Sequence, residues 1–81
     1  MNHELKIWPD FFQPLVLRKK TFEIRWDDRG YAIGDQLHLR EWNPKTRQYT
    51  GRETYRRVTW IGKSFGLLPG HVCLALEVIN E

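Results

Sequence analysis

Alternating apolar and polar residues predict two strands in which the apolar side chains face a core. One strand covers residues 4–7 and the other covers residues 36–42. Every second side chain of an extended strand points to the same face, so one face of each strand is apolar. The side chains predicted to face the core are Leu5, Ile7, Leu37 and Leu39.

A third alternating stretch, residues 21–26, carries charged side chains on one of its two faces. Its apolar face is predicted to anchor the strand in the core. That face consists of Phe22, Ile24 and Trp26. The opposite face, predicted to point away from the core, consists of Thr21, Glu23 and Arg25, with Lys20 just before it.

The apolar residues between the strands predicted at residues 4–7 and 21–26 recur at helical spacing, but a proline interrupts them. They are Trp8, Phe11, Phe12, Leu15 and Val16. Pro14 lies inside this window, and proline costs about 3 kcal/mol in a helix interior but is accepted in a first turn. The spacing therefore favours a first turn at residues 9–12 followed by a helix that begins near Pro14. One kinked helix is the alternative.

Two further strands are predicted from residue type. Residues 53–61 are rich in β-branched and aromatic side chains, and the arginines of this strand are predicted to point outward. Residues 71–79 are almost continuously apolar, which is typical of a strand in the interior of a sheet.

Turns and loops are predicted from glycine, proline and asparagine. Turn signals at residues 43–46 and 50–52 predict a long, basic hairpin between the third and fourth strands. Residues 62–70 are predicted to form a loop whose apolar side chains cap the core. These side chains are Phe65, Leu67 and Leu68.

These elements together predict a mainly β (α+β) fold. We expect a small β-barrel of five to six mostly antiparallel strands with one or two short helices, because closure of a barrel removes unpaired edges. A chain of 81 residues has enough apolar surface for one core, so residues 1–81 are predicted to form a single domain. The 14% aromatic content supplies much of the buried area.

The cysteine content and the N-terminal sequence indicate a soluble cytoplasmic protein, and we expect it to be a monomer. The single cysteine, Cys73, has no partner for an intramolecular disulfide and is predicted to pack as a small hydrophobic side chain. The sequence opens without a signal peptide, and no apolar run approaches the length of a membrane span. No metal-ligand spacing or glycine-rich phosphate loop is present, so no metal or cofactor is predicted. The scattered histidines, His3, His38 and His71, receive no functional role.

The formal net charge of +3 is unevenly distributed. Residues 45–57 contain five cationic side chains and two tyrosines, with Glu53 as the only acid. Cations meet phosphates and aromatic rings stack on bases, so this composition suits single-stranded nucleic acid. A solvated basic hairpin is an equal alternative.

The charged face of residues 21–26 is the second candidate site. Glu23 and Arg25 lie two residues apart in a strand, and Lys20 is close by. A ligand-binding cluster and an exposed set of ion pairs, each contributing roughly 0 to 1 kcal/mol, are equally consistent with this spacing. Lys20 and Glu23 are also candidates for catalysis, because a lysine beside a carboxylate can be tuned for proton transfer.

Six short segments of the chain carry a resemblance to a known family: residues 3–7, 19–25, 28–29, 34–35, 39–42 and 49–52. Within them, Lys20, Glu23 and Arg25 match the pattern G-x-K-x-x-E-x-R, whereas Arg18 stands at its glycine position. This pattern is typical of ASCH domains, and the chain resembles the DUF3850 group of ASCH domains in the PUA-like superfamily. The resemblance implies a PUA-like β-barrel, a cleft between barrel and helix lined by the three motif residues, and RNA binding.

Related ASCH proteins have two enzymatic activities whose residues can be compared with positions of this chain. One branch hydrolyses N4-acetylcytidine with a lysine, a threonine and a glutamate. Its lysine corresponds to Lys20, but Glu23 holds the threonine position and the segment of its glutamate has no match, so this reaction is not expected here. A ribonuclease has also been described; by that resemblance Lys20 and Arg25 would stabilise charge and Glu23 would act as base.

The sequence thus predicts an RNA-binding or nucleotide-binding module, with two alternatives. One is a small nucleic-acid-processing enzyme that uses the same cleft, and the other is a protein-interaction module. The residues predicted to bind RNA or nucleotide are Lys20, Thr21, Glu23, Arg25, Arg29, Arg40, Trp42, Arg47, Tyr49 and Arg52.

Overall fold

The chain folds into five strands and one helix over the residues that the structure describes. A computed structural model describes residues 1–64 and 66–79. The elements are β1 (Asn2–Ile7), α1 (Pro9–Val16), β2 (Phe22–Trp26), β3 (Gln36–Asn43), β4 (Gln48–Lys63) and β5 (His71–Val78). The mainly β class is thereby confirmed. Within the same residues, no helical segment has the length and apolar character that a membrane span requires.

All five strands belong to one sheet that curls into a half-barrel. The strand order is β1-β3-β4-β5-β2, so β1 and β2 form the two edges. Only the β1–β3 pair is parallel among the described strands, and the other three pairs are antiparallel. β5 has a neighbour on each side, which confirms that residues 71–79 supply an interior strand.

The core lies on the concave side of the sheet, under α1. The side chains of β1 and β3 that were predicted to face inward are all buried there. Two residues of α1, three from β4 and β5, and Tyr31 of the loop before β3 complete the core. The buried apolar side chains of the described residues are Leu5, Ile7, Leu37, Leu39, Phe12, Leu15, Tyr31, Val58, Val72 and Leu74.

The prediction for the two faces of β2 is wrong. Phe22, Ile24 and Trp26 are 41%, 47% and 57% exposed, whereas Glu23 is only 6% exposed. Alternation separates two faces but does not identify the inner one, and here the inner face carries charges that pair with one another. The outer Trp26 ring covers a glycine instead: it lies over Gly70, within 2.8 Å of where a Cβ would stand.

The prediction of a helix beginning near Pro14 is also wrong. α1 runs from Pro9 to Val16 with Pro14 inside it, as in the single-helix alternative. Pro9 stands in the first turn, where its missing N–H is harmless. The helix ends because Arg18 adopts a left-handed conformation with φ of 61°. Arg18 stands at the glycine position of the G-x-K-x-x-E-x-R pattern, and its left-handed conformation is one that glycine adopts without steric cost.

The connection between β3 and β4 is a short turn, whereas the two turn signals predicted a long, basic hairpin connection. The turn spans residues 44–47, and residues 50–52 lie within β4. Gly51, with φ of 95°, stands where the β3–β4 register shifts between Arg40 and Trp42. A glycine at such an irregularity has the same sequence signature as a turn, which explains the error.

Two smaller predictions are corrected as well. Arg56 does not point outward; it is buried and donates from Nη2 to the carbonyl oxygen of Leu15 at 3.0 Å. It thereby satisfies a carbonyl group at the end of α1 and joins the helix to β4. In the predicted core-capping loop, Leu67 is half-buried, Leu68 is exposed and Phe65 lies outside the described residues.

A buried polar cluster joins β1 to the loop before β3. Asp35 Oδ2 lies 2.8 Å from His3 Nε2 and accepts the Ala32 N–H at 2.9 Å. Burial alone would raise the pKa of the Asp35 carboxyl, but these hydrogen bonds and the Met1 amine outweigh it, and the pKa is lowered. His3 thus has a structural role in the fold.

Candidate nucleotide-binding cleft

A cleft lies on the open side of the half-barrel, between the edge strands β1 and β2 and beside α1. Its volume is about 510 Å³, which falls within the usual range for pockets that hold small ligands. Residues from all three elements contribute to its walls. The lining residues are Lys6, Ile7, Trp8, Phe11, Lys20, Phe22, Glu23, Ile24 and Arg25.

Three of the predicted site residues form a charged cluster in this cleft. Lys20 Nζ donates to Glu23 Oε1, and Arg25 Nη1 donates to Glu23 Oε2 at 3.4 Å. The Glu23 side chain is buried, while those of Lys20 and Arg25 remain partly exposed. The strand places Glu23 and Arg25 on the same face, and the turn after α1 brings Lys20 beside them. The cluster therefore offers a fixed carboxylate flanked by two accessible cations.

Aromatic side chains stand around the Lys20 ammonium. Lys20 Nζ lies 5.4 Å from the centre of the Phe11 ring and 5.5 Å from that of Phe22. Trp8 and Phe11 are about half exposed, so their rings are open to a ligand. The sequence pattern assigned both to the apolar stripe of the helix. The available signal was that Phe11 and Phe12 are adjacent, and adjacent residues of a helix do not share a face.

Two arginines bridge the gap between the edge strands. Arg25 Nη1 donates to the carbonyl oxygen of Lys6 at 3.3 Å, and Arg29 Nη1 donates to that of Glu4 at 2.8 Å. These carbonyl groups belong to the edge of β1. Arg29 therefore joins the loop after β2 to β1, whereas Arg25 joins β2 itself to β1 and also lines the cleft.

Three more predicted residues, Arg40, Trp42 and Tyr49, join Lys6 in a cluster that we call the cation–aromatic ladder. Trp42 and Tyr49 lie opposite each other in the β3–β4 register, as do Lys6 and Arg40 in β1–β3. Lys6 Nζ lies 4.8 Å from the centre of the Trp42 ring, and the Arg40 guanidinium carbon lies 3.8 Å from that of Tyr49. The ladder occupies the outer face of the sheet. Lys6 was not predicted as a site residue.

Comparison with known proteins gives a family match over residues 2–76, to a model described as a domain of unknown function, DUF3850. This chain belongs to the DUF3850 family. An uncharacterized 12.9 kDa protein in the GpA 3′ region of Escherichia phage P2 is 39% identical to it over 72 residues. The aligned part is 89% of this chain and 64% of the phage protein, so the chain spans less than two thirds of that relative's length. The family match includes every residue of the cleft and the ladder.

The remaining predicted residues lie apart from the cleft of this DUF3850 domain. Thr21 is exposed, and its carbonyl oxygen accepts the Leu76 N–H at 2.9 Å. Arg47 is exposed in the β3–β4 turn. Arg52 turns toward the helix, where Nη2 donates to Gln13 Oε1 at 3.0 Å. The basic stretch of residues 45–57 is thus divided between the outer surface and contacts with α1.

Proposed function

We propose that this DUF3850 domain binds single-stranded RNA and that the cleft receives one nucleotide of the strand. The observation that carries the proposal is the buried Glu23 carboxylate held between Lys20 and Arg25 inside an aromatic-walled cleft. The resemblance to ASCH domains of the PUA-like superfamily supports the same assignment.

The groups in the cleft match the parts of a nucleotide. Lys20 and Arg25 offer N–H donors for phosphate oxygens, and the rings of Phe11 and Phe22 offer faces on which a base can stack. A carboxylate has about four lone-pair sites, so Glu23 can accept further hydrogen bonds after those from Lys20 and Arg25. The base it suits best carries two adjacent N–H donors on its Watson–Crick edge, as guanine does at N1 and N2.

The proposal favours an unpaired strand over a duplex. A base can enter a cleft and present its Watson–Crick edge only when it is unstacked and unpaired. The volume of about 510 Å³ is adequate for a single nucleotide. Affinity should decrease as salt increases, because each phosphate contact releases counterions.

Substitutions in the charged cluster test the proposal. Lys20→Ala and Arg25→Ala should each weaken binding of single-stranded RNA by about 1 to 3 kcal/mol, or roughly five- to 150-fold, measured by fluorescence anisotropy at low salt. Glu23→Gln should change which of four homopolymers binds best, because it replaces an acceptor by a donor. Arg57→Ala is the matched control, since Arg57 is an exposed arginine outside the cleft.

The opposite pattern would overturn the proposal. If the three cluster variants bind every RNA like the wild type and only melt at lower temperature, the cluster is a structural ion-pair network. Affinity that does not depend on salt would also contradict it.

A nucleic-acid-processing enzyme is the second candidate. It is favoured by the direct contact between the Lys20 amine and the Glu23 carboxylate inside the cleft, because such a pair can transfer a proton. Incubation with short RNAs and modified nucleosides, followed by mass spectrometry, should then reveal new products. Glu23→Gln should abolish their formation while RNA binding remains. If no product forms from any of these substrates, the enzymatic candidate is refuted.

A further inference from the structure

The cation–aromatic ladder and the cleft meet at one residue, Lys6. Lys6 lines the cleft, and its Nζ lies 4.8 Å from the centre of the Trp42 ring and 5.9 Å from that of Tyr49. Resting on the proposed function, we infer that the ligand is an RNA strand that leaves the cleft over Lys6 and stacks its next bases on the ladder. A free nucleotide would contact the cleft alone.

Lys6 stands where a phosphate group between two nucleotides would pass. It belongs to the edge strand β1, which separates the cleft from the outer face of β3. A strand that leaves the cleft toward the ladder must cross this edge. An ammonium group at the crossing point complements the negative charge of the connecting phosphate.

The ladder presents flat groups on which bases can stack. The Tyr49 side chain is opposite Trp42 in the sheet and remains 38% exposed. The Arg40 guanidinium is held 3.8 Å from the centre of the Tyr49 ring. Aromatic rings and guanidinium planes both stack on bases regardless of sequence. The ladder therefore suits bases whose identity is not read.

Charges at the two ends of the ladder set the direction in which the RNA strand crosses the outer face of the sheet. At one end, Glu4 accepts from Arg40 at 3.2 Å and Glu53 lies opposite Arg40 in the register. At the other end, the β3–β4 turn exposes Lys45 and Arg47. Carboxylates repel phosphates and cations attract them, so the RNA strand runs from Lys6 toward the β3–β4 turn.

The inference is tested with two ligands that carry the same base. One is a nucleoside 5′-monophosphate, and the other is a single-stranded RNA of about eight nucleotides, a length within the range of single-strand binding sites. The wild type should bind the RNA more tightly than the mononucleotide. Tyr49→Ala should weaken RNA binding at least about fivefold, the loss expected for one stacked base, and leave mononucleotide binding unchanged.

A second variant and a control guard against effects on folding. Arg47→Glu changes only an exposed turn residue and should also weaken RNA binding without affecting the mononucleotide. Trp60→Ala is the control, because Trp60 is an exposed aromatic residue of β4 outside both the cleft and the ladder. It should bind both ligands as the wild type does.

The outcomes separate the failure of this inference from that of the proposed function. Equal affinity of the wild type for the two ligands would refute the strand path. Unchanged RNA binding by Tyr49→Ala and Arg47→Glu would also refute it, even if Lys20→Ala weakens both ligands and so supports the cleft. If Lys20→Ala also has no effect, or if the wild type binds neither ligand, the proposed function fails and the inference fails with it.

Discussion

The faces of β2 can be tested by truncating two apolar side chains on neighbouring strands, Ile24 and Leu74. Ile24 is 47% exposed on the outer face of β2. Leu74 lies on β5 opposite Glu23, and its exposed fraction is 0%. The structure therefore predicts that Leu74→Ala destabilises the fold far more than Ile24→Ala does.

The expected magnitudes follow from burial. Leucine-to-alanine substitutions at fully buried sites cost about 2 to 5 kcal/mol. Ile24→Ala removes about three carbon groups at about 0.8 kcal/mol each when buried, and half of the side chain is already exposed, so it should cost about 1 kcal/mol. For a domain of this size, each kcal/mol lowers Tm by roughly 4 to 8 °C.

Thermal unfolding followed by circular dichroism measures both effects. Leu74→Ala should lower Tm by about 8 °C or more, and Ile24→Ala by about 4 to 8 °C. If Ile24→Ala is as damaging as Leu74→Ala, then Ile24 faces the core. In that case Glu23 and Arg25 point to solvent, and the cleft described here does not exist.

Two further predictions concern stability. Arg18→Gly should raise the free energy of unfolding by up to about 1 kcal/mol in urea titrations, because glycine adopts the left-handed conformation of this position without steric cost. Arg18→Val should lower it. Equal stability of the wild type and the two variants would contradict the left-handed conformation of Arg18. The pKa of Asp35 is lower in the folded protein than its ordinary value of 3.8. The ionised Asp35 carboxylate therefore makes its full contribution to the free energy of unfolding above pH 3.8, and this contribution is lost as the pH falls through the pKa of the folded state. Urea titrations between about pH 7 and about pH 2 should therefore show a smaller acid loss for Asp35→Asn than for the wild type, and identical pH profiles would refute this.

The sequence predicts strands well where the apolar members of an alternating pattern face the core. Leu5 and Leu39 are examples, because β1 and β3 have polar outer faces. The same rule fails for β2, where the buried side chain is Glu23 and the exposed ones are Phe22 and Ile24. A carboxylate can be buried there because Lys20 and Arg25 pair with it. These cations are local in sequence, but the choice of which face of β2 packs inward depends on tertiary structure.

Part of the candidate site was accessible from sequence because it is local. Glu23 and Arg25 alternate on one strand, and Lys20 is only a few residues away. Lys6, Trp8 and Phe11 were missed because they belong to β1, to the residue that precedes α1, and to α1. They meet β2 only because the strand order makes the first two strands of the chain the two edges of the half-barrel, and local patterns do not encode strand order.

The arginine bridges across the open side of the half-barrel also bear on self-association. An unpaired strand edge is a template on which a second chain can add by hydrogen bonding. Here, the guanidinium groups of Arg25 and Arg29 donate hydrogen bonds to carbonyl oxygens on the edge of β1, so these oxygens already have a partner. Substitution of Arg25 would therefore remove a proposed ligand contact and also uncover a site for intermolecular strand addition. Aggregation and loss of the proposed RNA binding would have a common structural origin at this position, so binding by Arg25 variants is best measured on protein shown to be monomeric.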